Sequence, residues 1–208
     1  MSPTVTQLVS SHIDWVDGYL NRGFEPTFAT TMFNPLPGNE ETKRKLMRET
    51  IETLYARHVK RCFRRPRKVA VTDMPLWIFS FDRPVPKKKK FDRDHFVNIA
   101  INDGLHMHGI CLTPPSTRIT VSLEQHLYDE HERYFPRPNA VHHMLWEPIE
   151  KTPERVVEYT LKCIPRGYFD VGDVLILPRS HTEFQRVPNG QTPRDLARDR
   201  IFQRGIWG

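Results

Sequence analysis

Two histidines separated by one residue, His106 and His108, are the side chains in this 208-residue chain best spaced for joint chemistry. They lie in an otherwise apolar run, LHMHGICLTP from 105 to 114, which is typical of a β-strand. Alternate side chains of a strand leave the same face, so both imidazoles point one way while Met107 points the other. Two imidazoles at this spacing can hold one metal ion, although isolated histidines also serve as surface or core residues.

A second pair of chemically useful side chains is Tyr159 and Lys162, in the segment EYTLKCI. Thr152 and Pro153 are typical of a helix start, and the predicted helix runs to about Cys163. Residues three apart share one face of a helix, so the phenol and the ammonium are presented together. A tyrosine on a helix usually serves packing, and only its surroundings can give it a chemical role.

The rest of the chain predicts the elements that position these groups. Strands are predicted over 24–35, 76–81, 141–149 and 173–177, and helices within 1–23, over 40–62 and 122–134, and from Thr192. A further strand from His95 to Ile101 is predicted to form a hairpin with the histidine strand through the turn Asn102-Asp103-Gly104. Hairpins and long amphipathic helices together predict an α+β fold, an antiparallel sheet with helices packed on one face, as in RNA-recognition domains.

The charge of the chain favours a polyanionic partner. The formal net charge is +6, and a cluster of basic residues, RHVKRCFRRPRK, spans 57–68. Basic clusters of this density bind nucleic acid phosphates, although such runs also occur as solvated faces. We therefore predict that Arg61, Arg64, Arg65 and Arg67 bind DNA.

Composition places the chain among globular proteins of a reducing compartment. Apolar residues make up 38% of the sequence, enough for one well-filled core. The three cysteines are odd in number and form no CxxC pair, so they indicate neither a disulfide framework nor a zinc knuckle. The N-terminus lacks the apolar region of a signal peptide, and no window is long and apolar enough to span a membrane. We expect a cytoplasmic protein with no membrane partner.

Three motifs occur in a recognisable order between Thr27 and Ile164. They are FATTMFNP, a Thr- and Phe-rich strand, then GLHMHGICL with its two histidines, then VVEYTLKCI with its tyrosine and lysine. Together they resemble the motifs of the rolling-circle replication initiators of the HUH endonuclease superfamily, the Rep proteins of plasmids, phages and small DNA viruses. The resemblance implies an RRM-like or ferredoxin-like HUH endonuclease core at 24–165, with a helical N-terminal extension at 1–23 and a C-terminal extension at 166–208.

The resemblance also implies a chemistry. Tyr159 would attack a DNA phosphate and form a covalent 5′-phosphotyrosine, freeing a 3′ hydroxyl for a polymerase. His106 and His108 would hold Mg²⁺ or Mn²⁺, and Lys162 would place positive charge beside the nucleophile or the phosphate. The implied partners are single-stranded or hairpin origin DNA and a host polymerase. Because the chain has no Walker A pattern, a host helicase would have to be recruited.

Two departures from the family pattern bear on the site. Many members carry a second tyrosine directly after the lysine, whereas this chain has Cys163, which predicts a single-tyrosine enzyme. Many members also supply a third metal ligand, often acidic. In the predicted hairpin Ala100 lies opposite His106 and Asn98 opposite His108, which makes Asn98 one candidate. The other is Asp82, at the end of the strand at 76–81, and the sequence does not choose between them.

Other functions remain compatible with the same residues. A transposase or mobilisation relaxase of the same superfamily would use the three motifs on different DNA. A non-catalytic protein that binds single-stranded nucleic acid on a similar sheet would need only the basic surface and the aromatic strands.

Overall fold

A computed structural model of the chain describes residues 5–83, 101–136 and 138–179. Its strands are β1 Glu25–Phe33, β2 Leu76–Asp82, β3 His106–Thr113, β4 Val141–Pro148 and β5 Leu175–Leu177. Its helices are α1 Val5–Leu20, α2 Glu40–Cys62, α3 Leu123–Asp129, α4 His131–Tyr134 and α5 Pro153–Leu161. The strands form one sheet in the order β4-β1-β3-β2-β5, with every pairing antiparallel. The predicted α+β fold with an antiparallel sheet is confirmed.

The histidine strand β3 lies at the centre of the sheet. It pairs with β1 on one edge and with β2 on the other. Both β2 and β3 are almost entirely buried, because their side chains are apolar on both faces of the sheet and gain most from an interior position. The close packing also requires glycine at position 109, since a Cβ atom there would come within 2.5 Å of the Phe79 ring.

Helices cover both faces of the sheet, so the prediction of helices on one face only is wrong. On one face α2, α3 and α4 pack over a cluster that includes Trp77, Phe79 and Met107. On the other face α1 and α5 pack over a second cluster that includes Ile78 and Ile110. The physical reason is that β2 and β3 expose apolar side chains to both sides, and each side must be covered. His106 and His108 lie on the α1 and α5 face.

The predicted hairpin partner of the histidine strand is also wrong. Both edges of β3 are already taken, with Asp82 of β2 opposite His106, and Thr30 of β1 and Ser80 of β2 opposite His108. The predicted turn is instead a 3-10 turn over Ile101–Gly104. A strand that is apolar on both faces is favoured in the sheet interior, which places β2 beside β3. Residues 84–100, including Asn98, lie outside the described part of the chain.

The ends of the described chain belong to the same cores. Helix α1 contributes Val16 and Tyr19 to the cluster that also holds Val157 of α5. Strand β5 joins the sheet beside β2, beyond residue 165, where we predicted the catalytic domain to end. The helix predicted over 122–134 is divided into α3 and α4, and the helix predicted from Thr192 lies outside the described residues. Within the described ranges, no helix is long and apolar enough to cross a membrane.

Candidate metal centre and nucleophile

Three ligand atoms converge at one end of the central strands. The Nε2 atoms of His106 and His108 lie 3.2 Å apart, and Asp82 Oδ2 lies 3.4 Å from the first and 2.9 Å from the second. Neighbouring ligands of an octahedral cation such as Mg²⁺, each bonded at 2.0–2.1 Å, lie about 3 Å apart. The three donors therefore match one triangular face of such a coordination sphere, and within the described residues they form a group able to hold a metal ion.

Strand register creates this group from residues far apart in the sequence. Asp82 is the last residue of β2 and pairs with His106, the first residue of β3. Paired side chains of antiparallel strands share a face and lie about 5 Å apart, and His108 follows two residues later on that same face. Of the two candidates for the third ligand, the structure brings Asp82 to the histidines.

Hydrogen bonds orient both imidazole rings with Nε2 toward the group. His106 Nδ1 lies 2.9 Å from the carbonyl oxygen of Gly104, which can only accept, so in the neutral ring Nδ1 carries the proton and Nε2 offers its lone pair. His108 Nδ1 lies 3.0 Å from Thr30 Oγ1 on the neighbouring strand. Partners of this kind set the ring orientation and the tautomer of metal-binding histidines.

The charges of the group suit a cation. Burial raises the pKa of Asp82, which is 3% exposed, but its contacts with His106, His108, Cys163 and Lys162 outweigh burial and hold that pKa well below its usual range. Burial lowers the pKa of His108 more than its hydrogen bond to Asp82 raises it. At neutral pH the group thus offers a carboxylate and a neutral imidazole, which are the forms that bind metals.

Tyr159 lies directly beside this group. Its ring centre is 5.0 Å from that of His108 and 5.8 Å from that of Phe28, whose ring stacks on His108. The Tyr159 side chain is not buried, since 47% of the residue is exposed. Helix α5 therefore delivers a solvent-accessible phenol to the edge of the candidate metal centre.

Lys162 links the tyrosine to the metal ligands. Its Nζ lies 2.7 Å from Asp82 Oδ2 and 3.6 Å from the centre of the Tyr159 ring. Burial lowers the pKa of Lys162, but its contacts with Asp82 and Tyr159 outweigh this and raise the pKa above its ordinary value. The sequence predicted two separate pairs, His106 with His108 on a strand and Tyr159 with Lys162 on a helix. The structure brings these two pairs together.

Sequence reasoning missed three residues that contact this group. Thr30 and Phe28 lie in the first motif, where only a Thr- and Phe-rich strand was recognised. Cys163 donates a hydrogen bond from Sγ to Asp82 Oδ1 over 2.8 Å. The spacing of Tyr159, Lys162 and Cys163 at i, i+3 and i+4 was a usable signal, because such residues share one side of a helix.

The arginines predicted to bind DNA lie elsewhere. Arg64, Arg65 and Arg67 are exposed where the chain leaves α2, whereas Arg61 pairs with Glu130 at 3.7 Å. The chain then enters β2 at Leu76, and the seven residues of that strand span about 20 Å before they reach Asp82. The structure therefore does not bring these arginines to the metal ligands.

Fold and site together define an α+β protein with a candidate cation site beside an exposed tyrosine and a lysine. A scan against protein-family models and searches of curated proteins and of solved structures found no match to this chain. Its function is therefore argued from the site.

Proposed function

We propose that this protein is a metal-dependent, single-tyrosine DNA-nicking and strand-transfer enzyme that initiates rolling-circle replication. One observation carries the proposal: the exposed Tyr159 lies against His108, one of three converging metal ligands, with Lys162 bonded to another. A nucleophile, a cation site and a fixed ammonium are the groups that phosphoryl transfer requires.

In the proposed reaction Tyr159 is the nucleophile and a DNA phosphodiester is the substrate. The Tyr159 phenol oxygen attacks the scissile phosphorus, the bond from phosphorus to the 3′ oxygen breaks, and the proton lost by the phenol is balanced by one gained at the 3′ oxygen. The products are a 5′-phosphotyrosine and a free 3′ hydroxyl. Because no water is consumed, the phosphodiester energy is kept and a later 3′ hydroxyl can reverse the step. Mg²⁺ or Mn²⁺ held by Asp82, His106 and His108 would neutralise charge on the phosphate.

Cys163 supports a single nucleophile. It occupies the position after the lysine, where related enzymes often carry a second tyrosine, and it is 0% exposed. A side chain at this position points into the protein against Asp82 and cannot present a hydroxyl to DNA. One covalent link at a time therefore forms at Tyr159.

The proposed substrate is a single-stranded or hairpin origin, and the proposed partners are a host helicase and polymerase. A transposase or relaxase would use the same site on other DNA, and the sequences flanking the gene distinguish these roles. A purely nucleic-acid-binding role explains less, because burying the carboxylate of Asp82 between two histidines costs free energy that binding alone would not require.

The test is a covalent adduct. Wild-type protein incubated with labelled single-stranded and hairpin DNA and Mn²⁺ should give a labelled protein band on a denaturing gel. Tyr159→Phe removes one oxygen and should reduce adduct formation by about 10³-fold or more, while DNA binding persists. The matched control is Tyr128→Phe, since Tyr128 is 80% exposed but outside the site, and it should behave as wild type.

Two results would contradict the proposal. An adduct formed by Tyr159→Phe at the wild-type rate would assign the nucleophile to another residue. If the wild type binds these DNAs but forms no adduct with any of them, the binding-protein function is favoured.

A further inference from the structure

The two oxygens of the Asp82 carboxylate have different surroundings. Oδ1 accepts hydrogen bonds from the backbone N–H of Arg83 and from the thiol of Cys163, each over 2.8 Å. Oδ2 instead faces Lys162 and the Nε2 atoms of both histidines. One oxygen is thus held by the protein while the other is directed at the candidate metal centre.

The thiol of Cys163 is suited to hold that first oxygen. The residue is 0% exposed, and its Sγ lies 2.8 Å from Oδ1. The sulfur therefore donates its hydrogen to the carboxylate rather than to water. A hydrogen bond to an ionised acceptor is stronger than one between neutral groups, so this contact constrains the rotation of the carboxylate.

Cys163 also joins two elements that carry different parts of the site. Asp82 ends β2, whereas Cys163 follows α5, one helical turn after Tyr159 and next to Lys162. The two residues are 81 positions apart in the chain. Through this contact, the position of the tyrosine helix and the orientation of a metal ligand depend on each other.

We infer that Cys163 is a positioning residue for the metal centre: by holding Oδ1, it keeps Oδ2 directed at the histidines and fixes α5 against β2. The inference rests on the proposed metal-dependent function and assigns that function a residue outside the ligand set and the nucleophile. Partners that orient metal ligands in this way typically change metal affinity 10–100-fold when they are removed.

A buried cysteine on the central strand provides a matched comparison. Cys111 of β3 is also 0% exposed, but it lies on the face of the sheet opposite Asp82. Truncation at Cys111 and at Cys163 therefore removes a buried sulfur of the same size, and only the second removes a donor to Asp82. A difference between the two variants isolates the hydrogen bond from the packing.

The experiment measures Mn²⁺ binding to the full-length protein without DNA, from the loss of the free Mn²⁺ electron paramagnetic resonance signal. Cys163→Ala should weaken binding by about 10–100-fold, and Cys111→Ala should change it by less than about 3-fold. Cys163→Ser, which keeps a donor at this position, should recover most of the wild-type affinity. Far-UV circular dichroism and urea unfolding confirm that each variant compared is folded.

Different results would contradict the positioning role of Cys163 and the proposed metal-dependent function. Wild-type affinity in folded Cys163→Ala, or equal weakening in the alanine and serine variants, would refute the positioning role while leaving the proposed function intact. A wild type that binds no Mn²⁺ would remove the basis of both. If Cys163→Ala does not fold, the serine variant decides, because the inference requires it to bind Mn²⁺ within about 3-fold of wild type.

Discussion

Two histidine clusters lie on opposite faces of the same sheet, and they differ in what surrounds them. The site cluster contains Asp82, His106 and His108 and adjoins the exposed Tyr159. On the other face, the buried cluster consists of His58, Cys62, His126 and Tyr134. There the Tyr134 hydroxyl lies 3.1 Å from His58 Nδ1 and 3.2 Å from His126 Nε2, and His58 Nε2 lies 3.3 Å from Cys62 Sγ.

The difference shows what makes a histidine pair a candidate metal centre. Both clusters contain two imidazoles and contact a tyrosine ring, but only the site cluster includes a carboxylate, with the Lys162 ammonium paired to it. In the buried cluster, burial and the nearby His126 lower the pKa of His58 to about 3, so this ring is neutral and serves packing and hydrogen bonding. An anionic ligand and an adjacent exposed tyrosine, rather than histidine spacing alone, distinguish the site.

The largest expected effect comes from removing one histidine from each cluster. His108→Ala should lower Mn²⁺-dependent adduct formation on the order of 10³-fold, because it removes a ligand of the cation that neutralises the phosphate. His58→Ala should instead destabilise the fold by about 3 kcal/mol, because it leaves a cavity and an unpaired Tyr134 hydroxyl. Adduct yield and urea unfolding, measured on both variants, separate the effects. Loss of adduct formation in fully folded His58→Ala would break the distinction.

The second prediction concerns the pH dependence of stability. The unfolded chain binds a proton at His58 near pH 6.5, whereas the folded chain does not until about pH 3. This residue therefore does not lower the free energy of unfolding above pH 6.5. As the pH falls, only the unfolded chain gains the proton, and the free energy of unfolding drops by about 2 kcal/mol between pH 7 and pH 5. Urea unfolding at pH 7 and at pH 5 measures this loss of stability. His58→Asn should show a smaller loss over the same range, and an unchanged loss would show that His58 is not the group responsible.

A third and smaller effect is expected at the residue that orients His108. Thr30→Val replaces the hydroxyl with a methyl group of similar size and should weaken Mn²⁺ binding by about 10-fold. Thr31→Val is the control, since Thr31 faces the opposite side of the sheet and its buried hydroxyl has no hydrogen-bond partner within the described residues. This control should keep wild-type affinity. Equal affinities in the two variants would show that Thr30 does not tune the site.

The smallest effect on adduct formation is expected at the exposed arginines that follow α2. Replacing Arg64, Arg65 and Arg67 with alanine should weaken DNA binding and flatten its salt dependence, with a slope change of about 0.7 for each lost phosphate contact to single-stranded DNA. Adduct formation at saturating DNA should change little, because these residues precede β2 in the chain and Asp82 lies at the far end of that strand, which spans about 20 Å. Unchanged binding across several salt concentrations would identify this segment as a solvated face.

Local patterns in the sequence determined much of the secondary structure and part of the site. The periodicity of apolar residues predicted α2 over 40–62, and the structure has it at Glu40–Cys62. Alternation along a strand placed His106 and His108 on one face, and helical spacing placed Tyr159 with Lys162. These predictions succeed because side-chain direction within one element follows from its own geometry.

Only the tertiary structure decided which elements meet. The sequence suggested a hairpin that would have placed Asn98 beside the histidines, whereas strand pairing placed Asp82 there. The covering of both sheet faces and the contact of Cys163 with Asp82 were equally beyond local patterns. Long-range pairing is set by burial of whole strands, and β2 is an interior strand because it carries apolar side chains on both faces. The sequence thus supplied the reactive groups, and the packing of the sheet selected the carboxylate that completes the candidate metal centre.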